Sequence, residues 1–199
     1  MRWLRIIVLL IVVLVLSGFA HYTLPQREIV RITDTDVIRT DFSGMNRMFY
    51  ARGDSGSAEA VNRDLRIINT IRANGRDLVF RNEDTGFGWP PYFKLDSADL
   101  HAEASRLARE AGGQWFAITH YGWRSNVLSI YPNAISITPV AGPDVRLIPW
   151  LNIAILLVMA ALAFMIWRIW ERFEHRVIVP IVDRAAVRWA KLKDRLSGR

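Results

Sequence analysis

Two apolar runs constrain this chain more than any other feature of its 199 residues. The first is WLRIIVLLIVVLVLSGFA, residues 3–20, interrupted only by Arg5 and Ser17. The second is LIPWLNIAILLVMAALAFMIW, residues 147–167, with Asn152 as its strongly polar member. As a helix rising 1.5 Å per residue, the second extends roughly 31 Å, close to the hydrocarbon thickness of a bilayer. Trp150, Trp167 and Trp170 lie near its ends, where amphipathic rings favour the membrane interface, and Arg146 and Arg168 bracket it. The pattern predicts two transmembrane helices with a folded region between them. The expected divisions are an anchor over residues 1–22, an outer domain over 23–146, a second span over 147–170 and a tail over 171–199.

Charge gives the orientation. The formal net charge is +7, yet residues 21–147 hold 15 basic and 15 acidic residues. The excess lies in Arg2 and Arg5 and in the tail, where nine basic residues face Glu171, Glu174, Asp183 and Asp194. Basic residues flanking a span stay in the cytoplasm. Both termini are therefore expected there, with residues 23–146 on the outer side of the membrane. The basic pI is a topology signal and implies no nucleic-acid partner. A rival reading of the first run is a cleaved signal peptide, with MRWLR as its basic n-region and Gly18-Phe19-Ala20 as small-residue junction. An uncleaved signal anchor is preferred. The absence of cysteine excludes a disulfide framework, thiol catalysis and Cys-ligated zinc.

The middle region reads as α+β, rich in strands. REIVRITDTDVIRT, residues 27–40, is β-branched and predicts a strand with an interruption at 34–36; NRMFYAR, 46–52, predicts a weaker one. Two apolar-rich runs flank Asn74-Gly75, a pair suited to a type I′ hairpin turn. SADLHAEASRLAREAGG predicts a helix capped by Asp96 or Ser97, with a narrow stripe of Leu100, Ala104, Leu107, Ala108 and Ala111, ended by Gly112-Gly113. QWFAITHY, NVLSIYP and AISITPV follow as three short strands. Strands, then a helix, then strands are compatible with a small, partly open barrel of the oligonucleotide-binding type. In the tail, Pro180 is expected to interrupt the helix. Beyond it Val182, Ala185, Ala186, Trp189, Leu192 and Leu196 share one face, opposite Arg184, Arg188, Lys191 and Arg195. Such a basic amphipathic helix suits an anionic membrane surface, with Arg184, Arg188, Trp189, Lys191 and Arg195 as its contacts; a partner-bound juxtamembrane helix is the alternative.

No motif completes a catalytic or metal site. Gly53-Asp54-Ser55-Gly56 matches the nucleophile signature of chymotrypsin-like proteases, but the sole upstream histidine, His21, abuts the membrane. Arg52-Gly53-Asp54 is a three-residue chance match. The four histidines form no HxxH or HExxH pair, so no metal or other cofactor is expected. Asp96 and Asp99 fit a helix start better than a ligand set. Two aromatic stretches stand out. GFGWPPYFKL, 86–95, contains a stiff loop in which Trp89, Tyr92 and Phe93 either pin the barrel or meet a partner. WFAITHYGWR, 115–124, brings His120, Tyr121, Trp123 and Arg124 into a strand and its turn, which fits packing better than ligand binding, though ion pairing and stacking with an anionic or sugar-like ligand is the rival.

Two segments, DTGFGWPPYFKLDSADLHAEA and HYGWRSNVLSIYPNAISITPV, resemble a proteobacterial family of inner-membrane proteins known as a domain of unknown function. The resemblance implies a bacterial, membrane-anchored protein and carries no reaction, cofactor or catalytic residue. The expectation is an interaction or structural module held near the membrane by both its ends. Its partners would be the lipid bilayer and a membrane or envelope protein or a second copy. The alternative is a periplasmic hydrolase acting on an envelope component through Asp84, Asp96, His120 and Arg124. A sensor passing binding to the tail ranks third.

Overall fold

The computed structural model describes residues 2–41, 49–50, 62–110 and 112–196. The chain divides into two compact units, residues 1–149 and 150–199. The first begins with helix α1 (Arg2–Thr23). Strands β1 (Gln26–Asp41), β2 (Asn62–Arg72) and β3 (Asp77–Arg81) follow, then helix α2 (Ser97–Glu110) and strands β4 (Trp115–Tyr121) and β5 (Asn133–Val140). The strands close a barrel in the order β1-β2-β3-β5-β4. A small barrel with one main helix, between β3 and β4, is as expected, but it closes where a partly open one is the sequence expectation.

The length of β1 makes closure possible. Its first residues pair antiparallel with β4, Gln26 opposite His120 and Val30 opposite Phe116, and the rest pairs with β2. The expected interruption at 34–36 is instead a register shift between Ile32 and Asp34 that leaves the strand continuous. A bulge bends a strand without ending it, which suits a strand shared by two neighbours. The carboxylates of Asp34 and Asp36 accept from the next amides, those of Thr35 and Val37. The last side closes through one parallel pair, Arg81 with Asn133.

Three local expectations change. The Asn74-Gly75 hairpin forms, but its loop has three residues. Gly75 N–H donates to the Arg72 carbonyl at 2.9 Å, Arg72 N–H donates to that of Arg76, and Gly75 sits at φ 75°. A type I turn followed by a left-handed glycine is the three-residue solution, and only the glycine needs positive φ. NVLSIYP is no strand: Ser125 and Ile130 make an isolated bridge across a tight loop with Ser129 at φ 50°. Residues 49–50 of NRMFYAR are not in a strand, and the rest of that segment, with the Gly53–Gly56 and Arg52–Asp54 matches, lies outside the described residues.

Inside the barrel, Val30, Ile32, Ile68, Leu78, Phe80, Phe116, Ile118, Ala134 and Ile137 form one apolar cluster. Leu100 and Ala104 of α2 complete it, with Leu107 and Ala108 packed at its edge, as the stripe predicts. Fully burying each large side chain contributes about 1.5–3 kcal/mol. A smaller cluster, Tyr50, Leu65 and Ile67, is flanked by Phe49, Val79 and Tyr131.

The second unit is a helical rod. Helix α3 (Trp150–Phe173) passes through a π-helical turn (Glu174–Ile178) into α4 (Val179–Leu196). Pro180 therefore does not break the helix. The wider turn just before it shifts the hydrogen-bond register, with Val179 N–H donating to the Glu174 carbonyl, and this absorbs the clash a proline makes with the preceding turn. Arg184, Arg188, Trp189 and Lys191 are exposed on α4; the side chain of Arg195 lies outside the described ones. Among the described residues, two helices are long and apolar enough to cross a membrane, with windows at Ile6–Thr23 and Trp150–Trp189 and none of either window buried.

Candidate functional site: an aromatic clasp over a buried polar strip

The end of α1 is held by the two aromatic stretches. Phe19 stacks on Trp89 with centroids 5.5 Å apart and planes 12° from parallel. The Trp123 indole N–H donates to His21 Nδ1 at 2.9 Å, and the Tyr22 ring packs edge-on against Trp123 at 5.3 Å and against Tyr121 at 6.2 Å. Tyr92 stacks on Tyr121 at 5.0 Å and donates its hydroxyl proton to the Thr23 carbonyl. Helix C-termini leave carbonyls unpaired, and here the barrel supplies donors. The Gln26 amide donates to the His21 carbonyl at 2.8 Å, and Gly122 N–H donates to that of Tyr22 at 2.9 Å. Gly122 has φ 89°, the left-handed region that favours glycine, while a Cβ there would meet the Tyr22 ring only in ordinary contact at 3.6 Å.

Beneath the clasp runs a strip of buried polar groups. The Arg81 guanidinium lies 4.6 Å from the Tyr50 ring centroid and 5.9 Å from that of Tyr121, and pairs with Glu83 at 3.3 Å. Asn133 donates to the Glu83 carbonyl and the Tyr121 hydroxyl and accepts from Glu83 N–H. Lys94 is buried; its ammonium donates to the Ala134 carbonyl at 2.7 Å and to the Asn82 side-chain oxygen. Burial pushes its pKa down to about 8, opposed by the nearby Asp96 and Asp84 carboxylates. Asn82 in turn donates to the Ser97 carbonyl at 2.7 Å. The strip thus ties β3, β5, the 86–94 loop and the start of α2 together.

The start of α2 corrects the expected cap. Asp84 provides it from outside the helix, accepting from Ser97 N–H at 2.9 Å and from the Ser97 hydroxyl at 2.8 Å. Arg66 donates to the same hydroxyl at 3.1 Å. The carboxylate lies at the positive end of the helix dipole, where negative charge is favoured. Asp96 is exposed and contributes its carbonyl, which accepts from Leu100 N–H.

The residues expected at a partner surface separate into two sets. His120 and Tyr121 are buried, because strand alternation turns His120 inward against Phe80 at 5.1 Å and the clasp covers Tyr121. Neither ring nitrogen of His120 has a hydrogen-bond partner; burial, helped by the Arg72 charge, pushes its pKa down to about 4. Tyr92 is committed to the clasp. Arg124 is held within its own loop, stacked 4.3 Å over Tyr131 and donating to the Ile130 carbonyl at 2.9 Å. Trp89, Phe93 and Trp123 remain exposed. Among the described residues no hydrogen bond or ion pair joins any two of Asp84, Asp96, His120 and Arg124; Asp84 and Asp96 share Lys94 as a neighbour, while His120 packs on Phe80 and Arg124 on Tyr131. Among the described residues no three His, Asp or Glu side chains gather as a metal-binding group.

The sequence did not single out the α1 residues or the buried strip. A lone lysine inside an otherwise uncharged aromatic stretch was the available signal for Lys94. Nothing local marks the pairing of Phe19 with Trp89 and of His21 with Trp123, partners about seventy to a hundred residues away.

No solved structure matches the chain. An uncharacterized protein of Haemophilus influenzae (strain ATCC 51907 / DSM 11121 / KW20 / Rd) is 34% identical over 169 residues, covering 81% of this chain and 92% of that protein. Residues 1–174 match the family described as "Protein of unknown function (DUF1523)", which leaves most of the tail beyond the match. The chain belongs to the DUF1523 family.

Proposed function

We propose that this is a membrane-held interaction module of the bacterial inner membrane, with the barrel on the periplasmic side and both termini in the cytoplasm. The carrying observation is the clasp. Phe19 and Trp89, His21 and Trp123, and Tyr22 with Tyr121 and Trp123 fix the barrel to the end of an apolar helix. These contacts straddle the junction after Ala20 that a signal peptidase would use, which favours an uncleaved anchor. A flexible leader awaiting removal gains nothing from being packed against the domain it delivers. The charge distribution supports the orientation, since the excess of basic residues flanks the spans on one side. The exposed basic face of α4 suits an anionic inner leaflet.

The interaction reading is favoured over a hydrolase because Asp84 and Arg124, two of the four candidate catalytic residues, are engaged structurally, and His120 is buried away from Asp84, Asp96 and Arg124. Asp84 caps α2, Lys94 and Asn82 bind carbonyls, and Arg124 closes its own loop. Purification of the full chain in a mild detergent tests the reading. A homo-oligomer or a stoichiometric membrane or envelope protein is expected, and consistent recovery of a lone monomer would count against it.

A further inference from the structure

The geometry points to the loop over residues 86–95 as a foot that inserts its apolar tip into the outer leaflet beside α1. Thr85 N–H and Gly86 N–H both donate to the Lys94 carbonyl at 3.1 Å, and Lys94 N–H returns a bond to the Thr85 hydroxyl, so the base of the loop is pinched shut. Its one charge, Lys94, is drawn inward to the Ala134 carbonyl. What faces out is apolar: Phe87 is 89% exposed, Trp89 64%, Phe93 58% and Leu95 68%. Phe87 and Phe93 pack edge to face at 6.0 Å, and Phe93 holds φ 50°, a backbone conformation that costs a bulky residue energy. Strain spent on showing an aromatic ring to water alone has no compensation in the fold.

The occupant follows from where the loop sits. The Trp89–Phe19 stack places it alongside α1 one helical turn before Thr23, within the apolar window Ile6–Thr23. The exposed rings are therefore continuous with a helix surface suited to lipid, and Trp and Phe at that level are the side chains an interface favours. Across the helix, the 122–132 loop is bonded to His21 through Trp123 and exposes Val127 at 93%, a second apolar point. A two-point contact of this kind would set the barrel's tilt and its height above the bilayer.

The inference rests on α1 being a membrane span, and the test separates the two. The chain has no native cysteine, so single-cysteine variants need no background removal. Phe87→Cys reports the loop, with Leu95→Cys as a second reporter. Val12→Cys reports α1, and Asn74→Cys reports the hairpin at the far end of β3 from Arg81 and the clasp. The full chain, spin-labelled at each site, is placed in vesicles of phosphatidylethanolamine and phosphatidylglycerol. Collision with oxygen is then compared with collision with a water-soluble nickel chelate. The oxygen-to-nickel ratio at position 87 should be several-fold above that at 74 and below that at 12. A ratio at 87 equal to that at 74, with 12 buried in lipid, overturns the inference while leaving the span intact. Immobility at 87 with access to neither reagent overturns it too, in favour of a protein partner or a second copy. A water-accessible position 12 removes the span and the inference together.

Discussion

The apolar interior of the barrel and the strip that faces α1 are built from the same strands, yet they follow different rules. Beneath α2 the interior is mainly apolar, with Val30, Phe80, Phe116 and Ile118 locked by Leu100 and Ala104. Toward α1 the same strands carry Arg81, Asn82, His120, Tyr121 and Asn133, all buried. The first region supplies stability through area removed from water. The second contributes less net stability, because buried charges and amides must recover in hydrogen bonds what they lose in hydration. What it gives is directionality: its bonds tie β3, β5, the 86–94 loop and the start of α2 together beside the helix end that the clasp holds.

Substitutions on the two sides should therefore behave differently. Phe116→Ala opens a void in the apolar interior and is expected to cost about 3–5 kcal/mol, read as a fall in the denaturant midpoint of the full chain in detergent. A loss below about 1 kcal/mol would mean that the interior is not the stabilising region. On the other side, His120 has a folded-state pKa below its ordinary value, so the folded form favours the neutral ring. Stability from this residue is complete above about pH 6.5 and falls as the pH drops toward about 4, by on the order of 3 kcal/mol in all. His120→Leu should flatten that part of the stability–pH profile; an unchanged profile would assign the acid sensitivity elsewhere. Smaller still is Asp84→Ala, which removes the cap of α2 and should cost about 1 kcal/mol, with increased amide exchange confined to the first turn of the helix. Exchange spreading through the barrel would show that the strip carries more of the fold than these ties imply.

Legibility in the sequence follows the same division. The α2 stripe, the hairpin at Asn74-Gly75 and the strands 115–121 and 134–140 were readable because periodicity and turn chemistry are local. A small barrel is legible from element order, but its closure is not, because that depends on pairing across the two ends of β1. The segment Asn126–Pro132 misled because its β-branched and apolar residues match a strand, while Gly122 and the Ser125–Ile130 bridge turn it into a loop. Pro180 misled because a π turn five residues long precedes it and restores the register. The clasp was half legible: the aromatic residues stood out, but not that Tyr92, Tyr121 and Trp123 would spend themselves on Tyr22, Thr23 and His21. Such pairings depend on closure of the barrel, which no local pattern reports. For His120 the sequence favours packing over a ligand role without showing its side chain's direction; in the fold it is buried against Phe80, opposite Gln26 in the β1–β4 register.

The account stands on the barrel lying across the membrane from both chain ends. Labelling intact cells with a membrane-impermeant maleimide tests this directly, using Asn126→Cys in the exposed 122–132 loop and Lys191→Cys on the exposed face of α4. The prediction is that position 126 labels in intact cells whose outer membrane has been opened, while position 191 labels only after the inner membrane is disrupted. Labelling of 191 without 126, or equal labelling of both before disruption, would contradict it.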